Sequence, residues 1–264
     1  MRTQTIFVDR PSRVETMAGL SSDQVDRLVI DVYTHGSLDP ARRRAVGSYR
    51  SVLVVLIYLR HNLSQALVAE VFGCSQPTVS RLISRLAPRI TTALSDNAEG
   101  VAAQHLRSTV RVDGFLAPTG DRREGTYTSG MYSGKRHRCG FNVQVVGSAY
   151  GRLIMVGDPQ PGAMHDAKAW HASGLAAVFT GRLHAHGGPG GFADTAYTGT
   201  GLLVPRRKPN GQDLTESARD YNRAIASHRA SVERVIAHLK NWKLLATGYR
   251  GLLDRFPIFL DTIT

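Results

Sequence analysis

Near residue 100 the hydrophobic period of this chain changes, and that change limits the folds open to it. Before it, apolar residues recur at helical spacing in "SSDQVDRLVIDVYTHG", "SYRSVLVVLIYLRHN", "LSQALVAEVFG" and "SQPTVSRLISRLAPRI". After it, "TVRVDGFLAP", "FNVQVVGSAYGRLIMVGD" and "GLLVPRRK" are β-branched runs separated by turn residues. "HDAKAWHASGL" reads as a short helix, and a last long helix is expected over about 216–245. A chain of 264 residues has room for one large domain or two smaller ones. The expected division is a helical domain over 1–100 and an α/β domain over 101–264, with the boundary in "SDNAEGVAAQ", residues 95–104.

The helical part carries a second signal at about 51–90. Two short helices meet at a tight turn containing Gly73, with Ser64 and Ser75 as N-caps and Pro77 in the first turn of the second helix. That is the plan of a helix-turn-helix. Ala66, Val68, Ala69, Val79 and Leu82 would form its packed corner. Gln76, Thr78, Ser80, Arg81, Ser84 and Arg85 would then face outward, side chains suited to phosphates and base edges. An αα-hairpin that merely packs would share the pattern. The charge balance favours DNA: the chain carries a net charge of +12 and has a pI near 10.2. An anionic membrane is the rival polyanion, yet "SVLVVLIYL" falls short of the roughly 18 apolar residues of a span. Cys74 and Cys139 lie far apart and suggest neither a disulfide framework nor, with His137, a zinc site; a reducing cytoplasm is the expected setting.

Three carboxylates stand where a structural role explains them poorly. Asp113 follows the valines of an apolar strand, although Asp is depleted from strands and a buried carboxylate is costly unless paired or metal-bound. Asp194 follows a Gly-rich approach. Glu233 lies in "ASVERVIAHLKNWK", beside the stripe of Val232, Val235, Ile236 and Leu239 and on one flank with Asn222, Arg229 and Lys240. A plain i,i+4 ion pair with Arg229 would also account for Glu233. Oxygen donors of this kind suit hard divalent cations, and two such ions about 4 Å apart activate water and stabilise a leaving oxygen in phosphodiester cleavage.

The ordered motifs "DG" (Asp113–Gly114), "GK" (Gly134–Lys135), "PGAMHD" (Pro161–Asp166), "DTAY" (Asp194–Tyr197) and "ER" (Glu233–Arg234) resemble the core of insertion-sequence transposases of the DDE superfamily. The likeness covers roughly 50–250, and a helix-turn-helix commonly precedes that domain. It implies a ribonuclease-H-like mixed sheet flanked by helices, with metal and catalytic acids at Asp113, Asp194 and Glu233. It also implies a divalent metal, Mg²⁺ or Mn²⁺. Asp166 is open between an N-cap of the next helix, a further metal or water contact, and the second metal acid in place of Asp194, with Asp194 favoured. Lys135, Arg136, Arg206, Arg207, Lys208, Arg229 and Lys240 would hold DNA or simply solvate the surface. The function implied is binding of terminal inverted repeats, metal-dependent strand cleavage and strand transfer, carried out by a homo-oligomer on double-stranded DNA. A relative that binds without cutting, or a nuclease without strand transfer, would share these motifs. Relatives often continue past "DRFPIFLDTIT", so the C-terminus reads as short.

Overall fold

A computed structural model describes residues 11–35, 46–105, 109–120, 130–179 and 190–264. It divides into two compact units. The first holds α1 (Pro11–Ala18), α2 (Ser22–His35), α3 (Ser48–His61), α4 (Gln65–Phe72) and most of α5 (Gln76–His105). Helix α3 is its axis. Its run is apolar all round, so every residue from Ser51 to Leu59 is buried, and α1, α2 and α4 pack against it. The entrances are capped as the sequence dictates. Ser21 and Gln24 form a reciprocal capping box at α2 (2.8 and 3.3 Å), and the Ser64 hydroxyl accepts the Leu67 N–H at α4. Gly36, at which "SSDQVDRLVIDVYTHG" is expected from sequence to close as a helix, lies outside the described residues. At the turn between α4 and α5, Val68, Ala69 and Val79 are buried as expected. Ala66 is exposed and Leu82 only half-buried. Phe72, Ile83 and Leu86 are buried there instead.

The second unit is built on a mixed sheet. In chain order its strands are β1 (Val110–Pro118), β2 (Tyr132–Ser133), β3 (Arg138–Gly147), β4 (Leu153–Val156), β5 (Gln160–Pro161) and, after α6 (Asp166–Ala172) and α7 (Leu175–Phe179), β6 (Gly191–Phe192). The order is β2-β3-β1-β6, with β4 and β5 also pairing with β3. Strand β1 runs antiparallel to β3 from Arg111↔Gly147 to Pro118↔Gly140, and parallel to β6 only at Val110 and Arg111. Helix α8 (Glu216–Leu239) packs on β1 and β3. Period-2 alternation sorts the faces. Val110, Val112 and Val146 join Trp170, Leu175 and Phe179 in the core on one side. Arg111, Asp113 and Phe115 meet His228 and Arg229 of α8, and Lys240 just past its end, on the other. The sheet is therefore covered by helices on both faces, as the resemblance implies.

The boundary placed at 95–104 falls inside α5, which runs to His105, and the two units divide between Ala98 and Glu99. Three expectations need correction. The long helix ends at Leu239, not 245. Trp242 leaves helical geometry to lie under the Arg60 guanidinium, 5.5 Å from its ring centroid, before α9 (Lys243–Ala246). The strand expected in "GLLVPRRK" is reduced to a single bridge at Leu203, because Pro205 has no N–H to continue a ladder. Finally, residues 241–247 and 251–263, assigned from sequence to the second domain, group with the helical unit. The cause is apolar. Helix α10 (Phe256–Ile263) buries Phe256, Phe259 and Leu260, sets Phe259 against Tyr58, and bonds Thr262 Oγ1 to the Ala87 carbonyl at 3.2 Å.

Candidate active site

The acids gather where β1 outruns β6. Past Arg111 one edge of β1 has no partner strand, and the chain leaving β6 turns at Asp194. A crevice beyond the carboxyl ends of adjacent parallel strands is where such sheets bind ligands. Asp113 projects there from the α8 face, with only 19% of its side chain exposed. Its Oδ1 accepts the Gly114 N–H at 2.8 Å and its Oδ2 lies 3.4 Å from Arg229 Nη2. Burial pushes the Asp113 carboxyl above the ordinary carboxylate range; the Gly114 bond and Arg229 oppose the rise, and the charges of Asp194 and Asp166 add to it. Asp194 caps the 3-10 turn Thr195–Tyr197 by accepting the Ala196 N–H at 2.7 Å.

Asp166 is not a helix cap. His165 occupies that position and makes no capping bond, while Asp166 is the first helical residue. Its Oδ1 accepts from Asn142 Nδ2 at 2.9 Å. From there a polar chain crosses the core. Gln144 Nε2 donates to Asn142 Oδ1 at 2.8 Å, and Tyr197 Oη donates to Gln144 Oε1 at 2.6 Å. Gln144 and Tyr197 have no exposed surface at all. Burial, then the charges of Asp166, Asp113 and Asp194, push the Tyr197 phenol well above its usual value, so it stays a donor.

Two glycines make this convergence possible. A Cβ at position 114 would stand 2.6 Å from Gln144 Nε2, 3.1 Å from Asp166 Oδ1 and 3.2 Å from Tyr197 Oη. One at position 162 would collide with the carbonyl oxygens of Gly140 and Met131. The motifs "DG", "PG…HD" and "D..Y" are thus one packed assembly. Sequence reading missed Asn142 and Gln144. Their signal was present: two amides spaced two apart on one face of an otherwise apolar strand.

Glu233 is exposed and makes no ion pair with Arg229, whose guanidinium reaches Asp113 instead. Its neighbours along the same flank of the helix do reach β1. Arg229 touches Asp113, and Lys240 Nζ lies 5.4 Å from the Phe115 ring centroid; Glu233 stands between the two. Asn222, further along the row, holds the Arg206 backbone by two bonds of 2.7 and 3.0 Å. Arg207 Nη2 donates to the Thr195 carbonyl next to Asp194 at 3.1 Å, and the exposed Lys208 pairs with Asp213. Lys135 and Arg136 are exposed on the turn between β2 and β3.

Among the described residues no three His, Cys, Asp or Glu side chains stand close enough together to hold a metal ion. The donor set is nonetheless of the kind a hard cation takes. It is oxygen only, and Asp113 feels both Asp194 and Asp166 as like charges, with a single long arginine contact to offset them. His137 and Cys139 take no part in such a group, and Cys139 is buried.

In the helical unit, Gln76, Arg81, Ser84 and Arg85 are exposed on α5, and Thr78 and Ser80 half-buried. A cavity of about 690 Å³ opens beside them, lined by Arg81, Leu82 and Arg85. Gln76 bonds Gln65 at 2.6 Å. Ser84 Oγ accepts from Arg255 Nη1 at 2.6 Å, which adds a cation from the far end of the chain to this face.

A family described as DDE superfamily endonuclease matches residues 112–262, and the helix-turn-helix of DDE superfamily endonuclease matches 49–96. The chain belongs to the DDE superfamily of endonucleases. It is 35% identical to a protein of Streptomyces albus G described as a transposase for insertion sequence element IS112, over 91% of this chain and 88% of that one. It is 24% identical to a protein of Microchaete diplosiphon described as a transposase for insertion sequence element IS702, over 83% and 79%. No solved structure matches it significantly. For this DDE endonuclease, no helix among the described residues is long and apolar enough to cross a membrane.

Proposed function

We propose that this chain is a DNA transposase. Its helix-turn-helix binds the terminal inverted repeats of an insertion element, and its second unit cleaves and rejoins strands. What supports the reading is that Asp113, where β1 runs on past its pairing with β6, feels the charge of Asp194, and that Arg229, one turn from Glu233 on α8, contacts Asp113. Asp113, Asp194 and Glu233 would hold Mg²⁺ or Mn²⁺, with Asp166 as a further oxygen donor. Bound there, the metal supplies a polarised phosphoryl oxygen and a nucleophile at neutral pH.

The chain's own residues supply position and charge. Gly114 fixes Asp113 Oδ1 through its N–H. The 3-10 turn fixes Asp194, and the Tyr197–Gln144–Asn142 chain fixes Asp166. Arg229 and Lys240 flank Glu233 and would face strand phosphates, while Arg206 and Arg207 border the Asp194 turn. Hydrolysis at the element end frees a 3′-hydroxyl. Its attack on target DNA is a second in-line displacement at phosphorus and needs the same acids. Two sites acting on two ends call for a homo-oligomer in the active complex.

The test is metal-dependent nicking of a terminal-repeat duplex, followed by joining of the nicked end to a second duplex. Asp113→Asn, Asp194→Asn and Glu233→Gln each remove a ligand charge at near-constant volume, and each is expected to abolish nicking while repeat binding persists. A variant that nicks at the wild-type rate removes its residue from the set. Nicking without joining identifies a nuclease without strand transfer, and binding without nicking a DNA-binding relative.

A further inference from the structure

A cavity of about 180 Å³ opens next to Asp166, and neither Asp113 nor Asp194 lines it. Gly134, Lys135 and Arg136 of the β2–β3 turn line one side, and Phe115, Asn142 and Asp166 the other. It is smaller than the ≈ 300–1,000 Å³ of sites for whole small molecules, and it suits one anionic group. Lys135 and Arg136 form no ion pair among the described residues. Lys240 lies outside the lining, with its ammonium over the ring of Phe115, and is near enough to Arg136 to feel its charge. Burial and the nearby charge of Arg136 lower the Lys240 pKa, against the pull of Asp113. Cations held near one another without an anion are destabilised, and an anion between them relieves the strain. Asp166 also lines the cavity, but Asn142 holds its carboxylate at 2.9 Å, which leaves the cationic end for the ligand. Gly134 keeps that end open, with no atom within 4 Å of where its Cβ would be.

We infer that this cavity is a phosphate subsite, which takes a backbone phosphodiester of the DNA strand next to the one being cut. Lys135 and Arg136 grip it from the turn. Assigning the phosphate to a strand rests on the transposase reading; the anion site itself rests on the cavity and its cations.

The experiment uses the full chain in metal-free buffer with a fluorescent five-residue oligothymidylate, read by anisotropy at several salt concentrations. Arg136→Ala is expected to weaken binding about tenfold, as loss of a charge-assisted contact does, and to reduce the single-strand salt slope by about 0.7. Arg138→Ala removes the same charge from the same hairpin, outside the cavity lining, and should change affinity less than twofold. Ala163→Leu fills the cavity without changing charge and should weaken binding as Arg136→Ala does. Equal losses for Arg136→Ala and Arg138→Ala, or wild-type binding by Ala163→Leu, overturn the subsite. Inorganic phosphate that displaces the strand at equal phosphate concentration overturns the strand assignment. Failure of the transposase reading looks different: the oligothymidylate pattern would persist while the metal-dependent nicking assay stays blank.

Discussion

Arg229 is the residue whose placement changes most between reading and structure. As a surface partner of Glu233 it would be worth a few tenths of a kcal/mol. It instead offsets Asp113 at a contact 20% and 19% exposed on its two sides, and its buried Nε has no partner. At 3.4 Å the contact is longer than a good charge-assisted bond of about 2.7–2.9 Å. It holds the carboxylate loosely enough for another cation to take over. Removing it should destabilise the metal-free protein by about 1–2 kcal/mol, below the roughly 3–5 of a fully buried pair because water still reaches it. Arg229→Met should therefore melt lower than wild type without metal, and Mg²⁺ should raise its melting temperature by more, since a ligand that binds only the folded state stabilises it in proportion to affinity. Asp113→Asn should lose the Mg²⁺ response. Scanning fluorimetry of the three proteins at increasing Mg²⁺ checks this, and an equal Mg²⁺ response in wild type and Asp113→Asn would refute it.

The Asp166 prediction also belongs to the residue scale. Its Oδ1 works as the acceptor at the end of the Tyr197–Gln144–Asn142 chain, and an Asn amide can present an oxygen to the same donor. If positioning is its whole role, Asp166→Asn keeps most nicking activity and Asp166→Ala does not. If its charge binds metal, Asp166→Asn falls as far as Asp194→Asn. Parallel nicking rates separate the two.

At the scale of elements, what was legible had a local cause. Helices α2 and α4 begin at the residues that cap them, and β1 and β3 follow their β-branched runs. Asp113 and Asp194 were legible because a carboxylate in an apolar strand and another after a Gly-rich approach break a local rule. What was not legible depends on contacts between distant segments. Nothing near Asn142 or Gln144 in sequence shows that Tyr197 and Asp166 complete their bonds. Nothing near Trp242 shows that Arg60 draws it out of the helix. The polar chain gives its own prediction. Gln144→Leu leaves the Tyr197 hydroxyl without its acceptor in a fully buried place, which costs roughly 1–3 kcal/mol. Tyr197→Phe together with Gln144→Leu removes donor and acceptor alike and should recover part of that loss. Denaturant melts of the two singles and the double measure the coupling; strict additivity would show that the bond does not hold the strand to the Asp194 turn.

At the scale of the whole molecule, the helical unit draws on segments from both sides of the second unit. Helices α1 to α4 and most of α5 are completed by residues 241–247 and 251–263, which follow the second unit in the chain. From sequence alone, a fragment over 1–100 is a self-sufficient DNA-binding domain. The structure argues otherwise. Phe256, Phe259 and Leu260 are at most 5% exposed. At about 1.5–3 kcal/mol for each fully buried large apolar side chain, the three contribute roughly 5–9 kcal/mol as an upper bound. That is comparable to the whole stability of a domain, about 5–15 kcal/mol. Fragment 1–100 is therefore expected to keep helical signal yet melt without a sharp transition and bind terminal-repeat duplex weakly. Phe259→Ala in the full chain, which leaves Tyr58 without its ring partner, should cost about 3–5 kcal/mol. It should lower repeat affinity without any change at Asp113 or Asp194. Arg255→Ala separates surface from core. It removes a cation beside Ser84 from an exposed position, so it should leave the melting temperature within a degree or two while reducing the salt slope of repeat binding by about one. Circular dichroism melts and duplex titrations on these proteins decide the matter. A fragment over 1–100 that melts cooperatively and binds the repeat as tightly as the full chain would show that the C-terminal helix is dispensable to the helix-turn-helix.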